Sequence, residues 1–221
     1  MKLNKTIKKI GTAAIGTYMA LVNAVPALAA DASVEVMHGT NTTTQAQTAT
    51  VDAKVMGSLG DRFGYFGRLI ETVDMANENE VGTFALMDLS CRLGKGFDVV
   101  GETQFIPGME PDLRAGIQYF KKFENGIAVY ALATRNFTEM PNTELVGLVT
   151  FNHKLNENLG LTGSVESVVN IGDTAYNFDS TKVRAGINYK GLKIGPAANI
   201  SGLGTDGEPE VTVGGFVAKE F

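Results

Sequence analysis

Alternation with a period of two constrains this chain more than any other property. Between residues 181 and 189, Val183, Ala185, Ile187 and Tyr189 alternate with Lys182, Arg184 and Asn188. Successive side chains of a β-strand point to opposite faces, so this is the pattern of a strand wetted on one face only. It recurs upstream. Thr162, Ser164, Glu166 and Asn170 interleave with Leu161, Val165, Val169 and Ile171, and Asp98, Glu102 and Gln104 interleave with Phe97, Val99, Thr103 and Phe105. A surface helix would instead repeat its apolar residues three and four apart, and no segment after residue 30 makes a convincing amphipathic helix. The expected fold is all-β.

Eleven clear strands can be placed: residues 49–59, 63–72, 81–93, 97–105, 113–123, 127–137, 143–155, 161–171 and 181–189, then two more on the way to Phe221. Residues 33–37, with Val34 and Val36, make a weak twelfth, and residues 38–47, rich in Thr, Gln and Asn, read as a polar loop. The connections alternate in length. Asp61-Arg62, Gly94-Lys95-Gly96, Glu124-Asn125-Gly126, Asn156-Glu157-Asn158 and Lys190-Gly191 are short, and longer loops lie between them. That asymmetry fits a single antiparallel up-and-down transmembrane barrel. Such single-chain barrels have an even number of strands, so twelve is expected, with ten the alternative. Glycines within the strands allow the bends of a curved, closed sheet.

The amino terminus carries Lys2, Lys5, Lys8 and Lys9, an apolar run over residues 10–25, then Pro26 and Ala27-Leu28-Ala29-Ala30. Those are the three regions of a secretory signal peptide, assigned to residues 1–29 and leaving residues 30–221 as one barrel domain. Its removal takes four basic residues and no acidic ones, which lowers the formal charge from −5 to −9. An acidic exported chain is a poor partner for nucleic acid, so none is expected. Cys91 is the only cysteine and reads as a small apolar strand residue rather than a reactive one.

Taken together, the signal peptide, the alternating strands, the asymmetric loops and the terminal Phe221 resemble the porin-like outer-membrane β-barrels. The resemblance is one of architecture and implies location in the outer membrane, with lipid around the barrel. Hydrocarbon offers no hydrogen bonds, so a spanning sheet must close on itself and turn alternate apolar residues to lipid. The polar residues at the other positions then line a lumen with charges of both signs. The lumen candidates are Glu102, Arg114, Glu166, Lys182 and Arg184, within a wider set that includes Asp52, Lys54, Asp88, Arg92 and Glu144. In the last strand Phe221, Val217, Val213 and Val211 keep the outward pattern, while Lys219 and Gly215 depart from it. Trp is absent, and Tyr65, Phe84, Phe97, Phe105, Phe123, Phe137, Phe151, Tyr189 and Phe216 are the expected sources of aromatic girdles.

Chemical motifs are sparse. Gly202-Leu-Gly204-Thr-Asp-Gly207 has the spacing of a dinucleotide-binding turn, but Glu208-Pro209-Glu210 and a strand follow where that site needs a helix. With two histidines, His38 and His153, a multi-histidine metal site within one chain is excluded. No nucleophile stands beside a base in a recognisable arrangement, and no catalytic residue, cofactor or metal is assigned. Asn41, Asn136 and Asn199 begin glycosylation patterns, of which only the first is expected in a loop.

Charge is polarised along the barrel. Asp74, Glu78, Glu80, Glu110, Asp112, Glu139, Asp173, Asp179, Asp206, Glu208 and Glu210 gather at the long-loop end, and Arg62, Lys95, Lys121, Lys122, Lys154, Lys190 and Lys193 at the short-turn end. A negative mouth attracts cations. The function expected from these features is passive diffusion of small hydrophilic solutes or cations, without enzymatic activity. The alternatives are a structural or adhesive barrel with a plugged lumen and a soluble β-barrel that binds an apolar ligand.

Overall fold

The computed structural model describes residues 30–76, 81–138, 141–172, 178–203 and 208–221. The expected signal peptide, Glu78, Glu80, Glu139, Asp173, Asp206 and most of the Gly202–Gly207 motif lie outside the described residues. Twelve strands follow one another: β1 (Ala30–Asn41), β2 (Gln47–Leu59), β3 (Phe63–Asp74), β4 (Val81–Gly94), β5 (Phe97–Phe105), β6 (Asp112–Lys122), β7 (Ile127–Asn136), β8 (Asn142–Lys154), β9 (Leu159–Gly172), β10 (Phe178–Tyr189), β11 (Leu192–Leu203) and β12 (Glu210–Glu220). Each pairs antiparallel with its sequence neighbours, and β12 returns to β1 over Ser33↔Glu220 to Asn41↔Thr212. The Phe221 backbone N–H donates to Ala32 O at 2.9 Å, which extends that closing ladder to the last residue. The barrel therefore has no free edge.

The polar loop expected before β2 is shorter than the sequence suggests. Residues 38–47 do not form one long loop, because β1 runs on to Asn41 and β2 already begins at Gln47. His38, Gly39 and Thr40 are held on both sides, by β12 and by β2. Only residues 42–46 connect the strands, with the Asn41 side chain accepting from the Thr43 and Thr44 N–H groups at 2.9 Å each.

The register sorts every strand into two faces. Met87, Val99, Ile117, Val149, Val165 and Ile187 point outward around the wall and are 45–64% exposed. Among the described residues the charged outward side chains stand toward the rims: Glu71, Arg135 and Asp179 toward the long loops, Lys121 and Lys219 toward the short turns. Lys219, which breaks the sequence pattern, curls back so that its Nζ donates to Lys190 O at 3.3 Å. Its stem covers apolar surface while its charge leaves the belt. On β2 the outward Ala49, Val51, Ala53 and Val55 differ from this belt in being buried.

Aromatic residues crowd the short-turn rim. Phe97 and Tyr119 lie 4.8 Å apart between ring centroids, Phe151 stacks on His153, and Tyr189 and Phe123 receive Lys190 and Lys121 over their faces. Two expected girdle residues do not belong to the outer face. Phe84 pairs with Ile70 and Phe216 with Met37 on inward positions, and Phe216 is buried in a small cluster with Met37 and Ala197. The space for it comes from glycine. On the inward face of β10 and β11, a Cβ on Gly186 would overlap Ile194 O and one on Gly195 would overlap Ala185 O. The strands can fold this sharply toward each other only without side chains there.

Candidate functional site

Within this wall the lumen is built from charged side chains that alternate with the outward apolar set. The central group joins two walls. Arg68 on β3 donates from Nε to Asp52 Oδ1 at 2.9 Å and from Nη2 to Asp52 Oδ2 at 2.5 Å. The same Nη2 donates to Glu166 Oε1 on β9 at 2.7 Å. Lys182 Nζ reaches Asp52 Oδ2 at 3.2 Å, and Lys54 Nζ lies 3.5 Å from Glu166 Oε2 and 3.7 Å from Asp52 Oδ2. Three cations and two carboxylates thus form a bridge across the interior. Arginine suits the centre because its planar fork serves Asp52 bidentately and still has a hydrogen to spare for Glu166. Both carboxylates are buried, so their charges are held by partners rather than by bulk water.

Beside the bridge, Arg184 ties β10 to β1 by donating from Nε to Glu35 Oε1 at 2.8 Å. Its Nη1 donates to Ala198 O and Asn199 Oδ1, and its guanidinium lies 5.9 Å from the Phe216 ring centroid. Between the bridge and the short-turn rim lies a cavity of about 170 Å³. Lys54, Arg68, Lys182, Arg184 and Lys193 face Glu35, Asp52, Glu166 and Glu220 around it, with Ser33, Thr150, Asn152, Thr162 and Ser164 between them. Such a lining suits a small polar solute or water.

The wall formed by β4 to β8 has a different character. Arg114 lies 3.4 Å from Glu102 Oε1 and donates to Thr134 Oγ1 at 3.1 Å and to Asp112 Oδ2 at 2.8 Å. The Gln104 amide donates to Glu102 Oε1 at 2.8 Å and to Glu144 Oε1 at 3.1 Å. Asp88 stands beside Glu102 in the register, and Arg114 is the one cation bonded to this group among the described residues. This side carries more acid than base.

Glu102, Arg114, Glu166, Lys182 and Arg184 all project inward, but not into one site. Glu166 and Lys182 belong to the bridge, Arg184 to its flank, and Glu102 with Arg114 to the acidic wall. Periodicity missed Arg68, the residue on which the bridge depends. Its inward neighbours Phe66 and Ile70 are apolar, so β3 does not alternate cleanly. The available signal was pairing across the short turn after β2, which sets Arg68 opposite Lys54.

No protein-family model matches the chain, and no curated protein matches it. Solved structures do. A NanC porin structure superposes with a TM-score of 0.53 over 84% of this chain and 98% of the porin, at 8% sequence identity. The fold is that of the outer-membrane porins. A KdgM porin gives a TM-score of 0.49 over 86% of this chain and 99% of its own, at 11% identity. At such identity the likeness of this porin-like barrel to its neighbours is one of fold alone.

Proposed function

We propose that the protein is an outer-membrane channel for passive diffusion of small hydrophilic or ionic solutes. The observation that carries this reading is the inversion of the barrel: the belt of exposed Met87, Val99, Ile117, Val149, Val165 and Ile187 outside, and the charged bridge inside. Exposed apolar surface of that extent has a physical use in lipid, and a charged lumen has one in carrying water and solutes. A soluble binder of an apolar ligand would need the reverse arrangement. Glu102, Arg114, Glu166, Lys182 and Arg184 are then lumen residues that set solute choice, with Arg68 as the residue that narrows the path. The experiment is conductance of the purified barrel in a planar bilayer. Discrete, ohmic steps support the channel, and their absence in a correctly folded, heat-modifiable barrel defeats it.

The transverse bridge favours a second reading. If Arg68, Asp52 and Glu166 stay joined, the lumen is plugged and the barrel is structural or adhesive. Conductance that appears only when the bridge is broken by substitution assigns the native protein to this second class.

A further inference from the structure

The outer face sorts its charges by end. Among the described residues the outward strand charges toward the long loops, Glu71, Arg135 and Asp179, are mixed in sign, whereas those toward the short turns, Lys121 and Lys219, are both basic. At the turn between β10 and β11 this bias becomes a cluster. The Lys190 ammonium lies 5.4 Å from the ring centroid of Tyr189, an outward and exposed residue. From β12, Lys219 reaches the same turn and donates to Lys190 O at 3.3 Å. An ammonium has three N–H donors, so Lys219 keeps two after this bond. Among the described residues neither lysine is in an ion pair. Glu220, next to Lys219 in the chain, pairs instead with Lys193, and Phe221 bonds to Ala32 on the β1 side of the strand. The neighbouring turn after β8, tied on by the Lys190 N–H to Asn158 O at 2.9 Å, brings one acid, Glu157. Positive charge is left in excess on the lipid-facing side of the rim.

We propose that Lys190 and Lys219 form a binding site for the headgroup of an anionic phospholipid. The two ammonium groups take the phosphate oxygens through charge-assisted hydrogen bonds. Tyr189 suits headgroup depth, because its ring is apolar and its hydroxyl is wet. Exposed Ile187, Leu192 and Ile194 continue the wall below it and give an acyl chain an apolar surface to lie on. Each basic residue near an anionic membrane surface raises the attraction roughly fivefold. With the long loops outside, this rim lies at the inner leaflet. The proposal rests on the barrel standing in a membrane and not on its conducting.

Native mass spectrometry tests it on the full barrel, released from detergent after incubation with equal amounts of phosphatidylglycerol and phosphatidylcholine. The wild type is expected to hold phosphatidylglycerol roughly tenfold more tightly than phosphatidylcholine. Lys219→Gln keeps an N–H for Lys190 O but loses the charge, and should weaken phosphatidylglycerol roughly fivefold. Lys122→Gln removes the same charge from the inward face of the same rim and should change nothing. Heat-dependent gel mobility shows that each variant is folded, and Lys190→Gln in the exposed turn gives the same reading if Lys219→Gln does not fold. Equal binding of the two lipids by the wild type overturns the site, as does an equal loss in Lys219→Gln and Lys122→Gln. Replacing chloride by inorganic phosphate at the same ionic strength should leave the preference in place; its disappearance would assign the lysines to a free anion and defeat the lipid. Because lipid is counted without conductance, a non-conducting barrel that keeps the preference defeats the channel and keeps the site.

Discussion

Arg68 and Glu166 are six strands apart whichever way round the barrel is followed, yet their side chains are joined by a 2.7 Å hydrogen bond. The bond makes β3 and β9 mechanically dependent on each other and places a polar cross-link across the lumen. Glu166→Gln leaves Arg68, Lys54 and Lys182 with Asp52 as their one remaining carboxylate. Breaking a buried pair in this way costs about 3 kcal/mol. The expected result is lower resistance to guanidinium unfolding together with higher single-channel conductance. A variant that loses stability without gaining conductance separates the bridge from the path.

Neighbouring residues on β9 should respond in opposite ways. Val165 is outward and 46% exposed, whereas Ser164 lines the inner cavity. Val165→Arg places a charge in the middle of the apolar belt and should cost about 2–4 kcal/mol of folding stability in lipid vesicles. Ser164→Arg should fold normally and reduce conductance. Equal stability losses for the two would remove the distinction between the faces.

Glycine positions offer a second contrast. At Gly195 a Cβ would overlap the Ala185 carbonyl, but at the outward Gly147 it would meet nothing within 4 Å. Gly195→Val should destabilise the barrel by about 1–3 kcal/mol or more through overpacking at the β10–β11 fold. Gly147→Ala should be neutral or stabilise by up to about 1 kcal/mol, because it lowers the entropy of the unfolded chain. Denaturant midpoints of the two variants check both signs.

Orientation can be read with thiol labels in a Cys91→Ser background, since Cys91 is the only native cysteine. Met109 is 68% exposed in the connection between β5 and β6, and Lys95 sits in the tight turn between β4 and β5 at the opposite end. With long loops outside, a thiol introduced by Met109→Cys reacts with an impermeant reagent on intact cells. One introduced by Lys95→Cys reacts only after the outer membrane is opened. The reverse pattern would invert the barrel.

How much of this was legible in the sequence depended on whether a strand kept one wet face. Most of β9 and β10 alternates, so their existence and their inward charges, Glu166, Lys182 and Arg184 among them, could be read directly, although both strands begin earlier than expected, at Leu159 and Phe178. The upper part of β1 could not. His38, Gly39 and Thr40 carry no apolar alternation, and what holds them in a strand is ladder pairing with β2 and β12, which no local pattern reports. Arg68 was obscured because β3 places Phe66 and Ile70 inward beside it. Phe216 was misassigned although parity was against it: Val213 and Val217 take the outward positions of β12, which leaves residue 216 facing in. The bridge itself depends on two side chains meeting across the lumen, and only closure of the sheet brings them there.

The 170 Å³ cavity lies on one side of the bridge, between it and the short-turn rim. In a conducting barrel, an ion driven from that side would enter this charged antechamber before meeting the bridge, whereas one driven from the other side would approach past different residues. Current through such a barrel should rectify: opposite voltages of equal size would pass unequal flows, giving the protein a preferred direction without any moving part.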